Sequence, residues 1–505
     1  SSLYGDAAFG GSVNIVSAAI EQPRNVALTT GYGGFWDNGK WVGDMQKQSL
    51  EFQSGLIDGR WNFSGRYSRQ ISDGYRKDSW YDGWAYHLSL SRLDPRMTTT
   101  VNVYGGPMKM HLAYYGISKD QLAADRRFNP LTYDNETDNF NQPHYQLHHV
   151  YQVSGAMTLA NTLYYIRGKG YYEQLKRDAD YRLYGIEPPY REITDSIGNL
   201  VRQQWVHKNQ IGWNPRLDIE HPRGTHSFGG SFYYFESDHW GEVVWGENLQ
   251  AAFDPRFTYY RYSGKKQVGS VYLTENYDLT PKLTSQATVQ LRYQDYRFDQ
   301  EKMGIYPGHK YTLHWLFFSP RLGFNYSLDQ NTSAYVNAAV SSRTPSDAEI
   351  YDAGDPEAAP LLDVQSERVL NIELGGTYRG PQVALGANLF WMNYHDEIIS
   401  QGGINANTGV PLTVSADRSV HAGIELTAVV KATKRLELSG NMAWNHNRVR
   451  EFTSLFQYDY SSLDSIHVVD FKNKTISGFP DYLANLIIDY RADRFRATWR
   501  ARMVG

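Results

Sequence analysis

Hydrophobic and polar residues alternate with a period of two over long stretches of this chain. Between residues 283 and 294, Thr284 and Arg292 fall on one face, while Val289 and Leu291 fall on the other. Because successive side chains of a β-strand point to opposite sides, a period of two predicts strands with one apolar face.

About nineteen segments show this alternation or a closely related pattern, and each predicts a strand. The predicted strands lie near residues 26–35, 45–56, 60–70, 84–93, 96–105, 145–154, 157–167, 203–213, 224–236, 266–279, 282–298, 313–328, 331–341, 367–378, 381–396, 418–430, 434–449, 481–490 and 493–503.

The connections between the predicted strands alternate in length. Short turns such as Asp94–Pro95 and Ala492–Asp493 carry the residues that tight hairpins need. Much longer connections separate them, near 106–144, 168–202, 237–265, 342–366 and 450–480. This alternation predicts an antiparallel up-and-down barrel with one short-turned rim and one long-looped rim, which is typical of bacterial outer-membrane proteins.

The segment 482–490 indicates which solvent surrounds the barrel. Tyr482 and Tyr490 flank Ala484, Leu486 and Ile488 on one face. At a strand tilt near 40° this stripe is roughly 20 Å tall, and aromatic rings at both ends match the two interfaces of a bilayer. One such segment is also compatible with a soluble β-sandwich that has one wet face.

Composition narrows the function classes. The 505 residues include no cysteine and carry a formal net charge of −4, which excludes disulfides and thiolate metal sites and argues against nucleic acid as a partner. The sequence contains no run of 18 apolar residues, so no membrane-spanning helix is predicted. The stretch "GKGYYE" begins like a dinucleotide loop, but Glu173 stands where the third glycine belongs. The sequence contains no Gly-x-Ser-x-Gly elbow, no His-Glu-x-x-His motif and no phosphate-binding lysine loop, and paired loop carboxylates for glycoside hydrolysis stay open as an alternative.

The opening stretch "SSLYGDAAFGGSVNIVS", with Gly10, Gly11 and Asn14, resembles the closing segment of the plug domain in TonB-dependent outer-membrane receptors. The stretches "ISDGYRKDS", "RRFNPLTYDNETDNF", "SSRTPSDAEIYDAGD" and "DRSVHAGIEL" are also similar to parts of these receptors, most closely to ferric-siderophore receptors of the ferric-dicitrate type.

This resemblance implies an all-β, transmembrane barrel of the 22-stranded plugged type, with about 19 strands present. Residues 1–23 are then the end of the plug domain, and residues 24–505 are a barrel that is incomplete at its C-terminus. The resemblance also implies a protein that is not an enzyme. The implied function is active uptake of a ferric siderophore or similar iron chelate across the bacterial outer membrane. The implied partners are the TonB–ExbB–ExbD complex, the iron–siderophore ligand, and outer-membrane lipid and lipopolysaccharide around a monomeric barrel; the chelate is cargo, and no cofactor is expected.

Two predicted loops carry the candidate ligand-binding residues. Aromatic faces and guanidinium groups suit an anionic chelate. The candidates are Tyr114, Tyr115, Arg126, Arg127, Tyr133, Tyr171, Tyr172, Arg177 and Arg182. For the arginines the alternative is a solvated network of salt bridges, and for the tyrosines of 168–202 it is anchoring in the lipid headgroup layer.

Acidic loop 342–366 and three histidines offer further interpretations. The loop contains Asp347, Glu349, Asp352, Asp355, Glu357 and Asp363. It could hold a structural Ca²⁺ or bridge to lipopolysaccharide through divalent ions, although nothing supports this over plain solvation. His144 and His148 share a strand face beside His149, and ordinary wall histidines are the alternative to a metal pair; no metal site is predicted.

Three other functions compete with uptake of an iron chelate. The same kind of transporter could carry cobalamin or an oligosaccharide. A passive porin lacks a preceding plug segment. A soluble extracellular β-rich hydrolase would have strands in groups of four with similar loops throughout.

Overall fold

A computed structural model describes residues 23–188, 190–191, 196–251, 253–351, 365–404, 411–457 and 466–505. The predicted end of the plug, with Gly10, Gly11 and Asn14, lies outside the described residues. Among the residues described, no helix is both long and apolar enough to cross a membrane.

Antiparallel strands dominate the described chain, with two short helices in the loops. The helices are Lys119–Ala124 (α1) and Asp347–Ile350 (α2). The strands are Asn25–Asp37 (β1), Lys40–Gln53 (β2), Trp61–Ser72 (β3), Tyr81–Asp94 (β4), Met97–Gly105 (β5), Met108–His111 (β6), Thr137–Asn141 (β7), His144–Ser154 (β8), Met157–Asp180 (β9), Ile197–His221 (β10), Gly224–Gly246 (β11), Phe257–Thr280 (β12), Leu283–Met303 (β13), Lys310–Phe318 (β14), Arg321–Ser327 (β15), Thr332–Arg343 (β16), Glu367–Arg379 (β17), Val383–Ile404 (β18), Pro411–Lys431 (β19), Leu436–Glu451 (β20), Thr453–Gln457 (β21), Ile466–Asp470 (β22), Tyr482–Ala492 (β23) and Phe495–Val504 (β24).

All strands except β21 and β22 belong to one 22-stranded sheet. At three positions around the wall, one long strand is divided into two consecutive segments: β5 and β6, β7 and β8, and β14 and β15. Pro107, Pro143 and Pro320 lie at the three breaks. A strand is interrupted there because proline has no backbone N–H to donate to the neighbouring strand. The described sheet therefore has nineteen wall positions, in the order and at the places that the sequence predicts.

Each wall strand pairs with its sequence neighbour, and connections alternate between the two rims. One rim carries turns of a few residues, such as those between β10 and β11 and between β23 and β24. The other rim carries the long connections, including residues 112–136 between β6 and β7. One connection at this rim is shorter than predicted, because Asn38 (φ 47°) and Gly39 (φ 78°) close β1 and β2 with a tight turn that needs positive φ at both positions.

Strands β9 to β13 are much longer than the alternation predicts. They contain 21 to 25 residues each. Such strands are roughly 80 Å long, or roughly 60 Å along the membrane normal after tilting, which is about twice the height of an apolar band. The predicted loops 168–202 and 237–265 are therefore mostly strand, which corrects the sequence prediction.

The two faces of the wall differ as predicted. Tyr482, Leu486 and Tyr490 are about 40% exposed on the apolar outer face, whereas Asp489 on the opposite face is 6% exposed. Inner-face positions of β13 likewise carry Thr288 and Arg292. The apolar stripe thus points outward from the sheet, where lipid can cover it.

The compact hydrophobic clusters lie at the long-looped rim. One cluster joins Tyr181, Tyr184, Leu200, Val243, Tyr259, Tyr260 and Met303. A second joins Tyr296, Phe298, Ile350 and Tyr351, and a third lies where β18, β19 and β20 meet Phe452 and Ile476. These clusters hold the upper ends of the long strands together and support the loops above them.

Candidate ligand-binding site at the long-looped rim

Arg76 fastens loop 112–136 to the neighbouring loop 73–80. Its Nη1 donates to the carbonyl oxygens of Ala113 and Tyr115 at 2.6 and 2.8 Å, and its Nε donates to that of Phe128 at 2.9 Å. One guanidinium thus satisfies three carbonyls of a loop that lacks strand partners. No sequence pattern identified Arg76 as a site residue.

Arg127 reinforces the same junction from the other side. Its Nε donates to the carbonyl oxygen of Tyr75 at 2.7 Å, and Lys77 pairs with Asp125 at 2.7 Å. The Lys77 ammonium and the Arg127 backbone N–H hold the pKa of the Asp125 carboxyl below its usual range. Arg126 is exposed beside this network. For Arg127 the structure therefore favours the salt-bridge and hydrogen-bond interpretation over direct ligand contact.

Glu173 docks the far end of the loop onto the wall. Its carboxylate accepts hydrogen bonds from Tyr133 Oη at 2.8 Å, Asn135 Nδ2 at 2.6 Å and Gln203 Nε2 at 2.7 Å. Glu173 is buried, so these charge-assisted bonds form away from bulk water and hold the loop strongly. Burial and the Glu173 carboxylate raise the pKa of Tyr133 to about 12, so its hydroxyl remains a donor at neutral pH.

Arg202 lies fully buried at the centre of the rim. Its Nη2 donates to Gln174 Oε1 at 3.0 Å and its Nη1 to Tyr184 Oη at 3.3 Å. Gln174 in turn donates to Tyr114 Oη at 2.5 Å. Gln174 therefore links a buried cation to Tyr114, one of the predicted ligand-binding residues.

An aromatic ladder continues from this arginine around the rim. The ring centroids of Tyr184 and Tyr259 lie 4.9 Å apart, those of Tyr259 and Tyr260 5.0 Å, and those of Tyr260 and Tyr262 5.8 Å. Phe298 follows at 5.1 Å from Tyr262. These rings pack at the spacing of favourable aromatic pairs and form a rigid wall next to the loop.

Several predicted residues meet above this wall. The rings of Tyr114 and Tyr115 lie 4.6 Å apart, and Tyr114 lies within electrostatic range of Tyr172 and Glu136. Glu136 lies in turn within range of Arg177 and Lys176. The structure therefore gathers Tyr114, Tyr115, Tyr172 and Arg177 into one group, which we call the rim cluster, with Lys176 and Glu136.

Comparison with known sequences decides the family. The sequence model of the family described as "TonB dependent receptor-like, beta-barrel" matches residues 104–505. The chain belongs to this family. A comparison with curated proteins found no match.

Solved structures of receptors share the fold. The ferric-catecholate import receptor Fiu from K12 E. coli, in its closed form, aligns over 99% of this chain and 74% of its own, with 14% identity and a TM-score of 0.67. The unliganded ferric citrate transporter FecA aligns over 99% of this chain and 69% of its own, with 15% identity and a TM-score of 0.71. The ferric yersiniabactin uptake receptor FyuA from Yersinia pestis aligns over 98% and 71%, with 13% identity and a TM-score of 0.71.

The TonB-dependent receptor described here is thus an outer-membrane β-barrel, and its two rims can be oriented. In outer-membrane barrels short turns face the periplasm and long loops face the exterior. The rim cluster and the loop held by Arg76 therefore lie on the outside of the cell, where a ligand first arrives.

Tyr171 of the receptor lies on β9 and not in a loop, which corrects its predicted position. It has the same strand parity as the outward-facing Leu163 and Tyr165. Its ring stacks on Trp205 at 4.3 Å, and Trp205 stacks on Trp240 at 5.6 Å. This outward stack favours the headgroup-anchor interpretation of Tyr171.

The remaining predicted residues lie on β9 or directly after it. Tyr172 and Arg177 also lie on β9, so their predicted loop position is corrected. Arg177 donates to Thr132 Oγ1 at 3.3 Å across the junction between strand and loop. Arg182 lies in the connection after β9 and pairs with Asp180 at 2.6 Å, away from the rim cluster.

The acidic loop of the receptor is neutralised by cations where the structure describes it. Lys266 pairs with Asp347 at 2.6 Å, and Arg343 pairs with Glu349 at 3.2 Å and also with Glu367. These ion pairs hold α2 against the wall and leave the described carboxylates committed to protein cations. The other predicted acidic residues, Asp352, Asp355, Glu357 and Asp363, lie outside the described residues.

His144 and His148 have wall partners. His148 contacts Thr162 Oγ1 and Gln146 Oε1, both at 3.1 Å, and the His144 ring stacks on Tyr104 at 4.7 Å. These contacts favour ordinary wall histidines.

Glu136 makes the rim sensitive to pH. Burial raises the pKa of its carboxyl to about 7, against the opposing effect of Arg177 and Lys176. Because the folded pKa exceeds the usual value of 4.5, burial stabilises the protonated form, so loop docking is strongest below pH 4.5 and weakens as the pH rises through about 7. Hydrogen exchange in residues 112–136, corrected for the intrinsic rate, should be faster at pH 8 than at pH 5.

Glu136→Gln should remove this pH dependence, whereas Asp120→Asn in the exposed helix α1 should retain it. Equal pH dependence in Glu136→Gln and the unmodified receptor would show that another group titrates.

Proposed function

We propose that this receptor takes up a ferric siderophore or a similar iron chelate, with energy supplied through TonB, ExbB and ExbD. The observation that carries the proposal is the rim cluster. The Tyr114 ring lies 4.6 Å from that of Tyr115 and within electrostatic range of Tyr172 and Glu136, and Glu136 lies within range of Lys176 and Arg177. Iron chelates often combine aromatic or apolar surface with negative charge, and aromatic faces beside cations bind such molecules.

The charge at the rim distinguishes among the alternative cargoes. A sugar site is expected to have stacked aromatic rings with few cations, whereas this rim places Lys176 and Arg177 at its surface and Arg202 beneath it. A buried cation also raises the local potential for an anionic ligand. These cations support an anionic chelate over an oligosaccharide or cobalamin.

Transport of defined iron chelates tests the proposal. A receptor-deficient strain that carries the full-length gene should accumulate radioactive iron from at least one ferric siderophore, and loss of TonB should abolish the uptake. Cobalamin and maltodextrin serve as alternative cargoes. Uptake of either of these, with no chelate transported, would contradict the proposal.

Arg76→Ala should reduce this uptake more than tenfold. The variant removes three hydrogen bonds from a charged donor, each worth about 1.5–3 kcal/mol, and releases the loop that carries Tyr114 and Tyr115. The matched control is Arg96→Ala, since Arg96 is exposed in a short periplasmic turn. Equal uptake by the two variants, at equal amounts of folded receptor, would show that the loop does not bind the cargo.

A further inference from the structure

Two histidines and a glutamate converge on the outer wall near the periplasmic rim. His221 ends β10, His226 is the third residue of β11, and Glu275 lies near the end of β12. On each strand the cluster residue lies an even number of positions from an exposed, outward-facing residue, which is Ile211 for His221, Phe228 for His226 and Leu273 for Glu275. The strand register does not shift between the two residues of any pair, so all three cluster residues face outward. The cluster therefore lies outside the lumen, on the opposite rim from the proposed ligand site.

The donor atoms of the three side chains point at one another. His221 Nε2 lies 3.1 Å from Glu275 Oε1, and His226 Nδ1 contacts the other carboxylate oxygen. The two imidazole rings stack with centroids 4.5 Å apart. One ligand atom from each residue lies within 4.8 Å of the other two, the single such group of three among the residues described.

We propose that His221, His226 and Glu275 bind one divalent transition-metal ion, with Zn²⁺ as the best-fitting probe. Two imidazoles and one carboxylate are a set that zinc uses, with a fourth position left to water. Donor atoms about 2.0–2.2 Å from a tetrahedral ion lie about 3.3 Å from one another, close to the 3.1 Å between His221 and Glu275.

At this position, on the outer face of the barrel near the periplasmic rim, a bound ion would cross-link neighbouring strands. Ionisable groups on the lipid-facing side of a barrel are costly, and the cost decreases towards the interface. The cluster lies at the periplasmic end of its strands, and the His226 side chain is 44% exposed, so an ion can reach it from the rim. An ion would bind three adjacent strands together at the rim.

A proton can also stabilise this arrangement, and the two states differ at His221. The backbone N–H of Arg223 approaches His221 Nδ1 at 3.3 Å, which leaves Nε2 to donate a proton to Glu275 when no ion is bound. Metal binding through Nε2 moves the ring proton to Nδ1 and opens the Arg223 contact. The competing arrangement is thus a hydrogen-bonded cluster without metal.

The wall also offers a matched control. His314 Nδ1 pairs with Asp295 Oδ2 at 2.9 Å on the outward face of β13 and β14. This pair has one imidazole and one carboxylate but lacks the second imidazole among its described partners. A specific site should therefore depend on His226 and not on His314.

Calorimetric titration tests the proposal. Full-length receptor without a histidine tag is purified in detergent, treated with a chelator and titrated with ZnCl₂. We expect one Zn²⁺ per chain, an affinity that falls more than about tenfold in His226→Gln and in Glu275→Gln, and no change in His314→Gln. X-ray absorption of the loaded protein should show nitrogen and oxygen ligands at about 2.0–2.1 Å.

Folding of the variants is checked by the heat-dependent mobility of the barrel on gels. Absence of stoichiometric binding, or binding that is equal in all three variants, would overturn the proposal and leave the hydrogen-bonded cluster. Chelate uptake is measured separately, so failure of this site and failure of the proposed transport function are distinguishable.

Discussion

Replacing Leu486 with arginine is expected to destabilise the barrel by about 2–4 kcal/mol, because the new charge would face the hydrocarbon layer. Leu486 lies in the middle of the outward stripe on β23, between Tyr482 and Tyr490. The unfolding free energy in detergent or lipid, and the amount of heat-resistant folded receptor in the membrane, should both decrease.

Asn485→Arg is the matched control, because Asn485 precedes Leu486 and faces the polar lumen, where it donates to Asn441 at 2.8 Å. A charge on this face can be hydrated, so the loss should be much smaller. If Asn485→Arg were the more damaging of the two, the assignment of inner and outer faces would be wrong.

Replacing Glu397 with alanine is expected to cost about 2–5 kcal/mol at the long-looped rim, because each buried donor left without its acceptor costs about 1–3 kcal/mol. Glu397 accepts a hydrogen bond from His421 Nε2 at 2.9 Å and another from Ser419. His421 also contacts Asn447 Oδ1 at 2.8 Å. The variant leaves a buried ring and a buried hydroxyl without their acceptor, and hydrogen exchange in β19 and β20 should accelerate.

Glu425→Ala provides the comparison for Glu397. Glu425 lies on the same strand as His421 and accepts one hydrogen bond, from Asn388 at 3.1 Å, in an exposed position. Its removal should change hydrogen exchange little. Because the ring of Phe479 packs 4.8 Å from His421, residues 471–481 should also become less protected in Glu397→Ala but not in Glu425→Ala. Equal protection in both variants would show that the buried network does not hold this loop.

The sequence predicted the wall strands but not how far the upper ends of several of them extend, among them β9 to β13, β18 and β19. Within the membrane, lipid on one side and a polar lumen on the other force apolar and polar residues to alternate. Above the membrane both faces of β11 contact water or polar neighbours, so Glu236, Asp238 and Glu242 occupy outer positions and the alternation disappears. The pairing of neighbouring strands, which continues upward, decides where these strands end.

The sequence predicted which residue types the candidate site contains but not how those residues are arranged. The density of tyrosines and arginines near 114–133 and 171–182 indicated a recognition surface, and the rim cluster contains four of those residues. Arg76 and Arg202 gave no local signal, because their roles depend on carbonyl and side-chain partners far away in the chain. His221, His226 and Glu275 likewise converge only because neighbouring strands set their register.

By itself the sequence determined the fold class, the order of the wall strands, the alternation of short and long connections and the direction of the apolar stripe, because each follows from a local pattern imposed by lipid. The family match confirms that interpretation. Tertiary structure alone decided how far the strands extend, which tyrosines point outward from the barrel and which join the rim cluster, and which cations contact loop 112–136. These features depend on contacts between residues that strand pairing, and not sequence proximity, brings together.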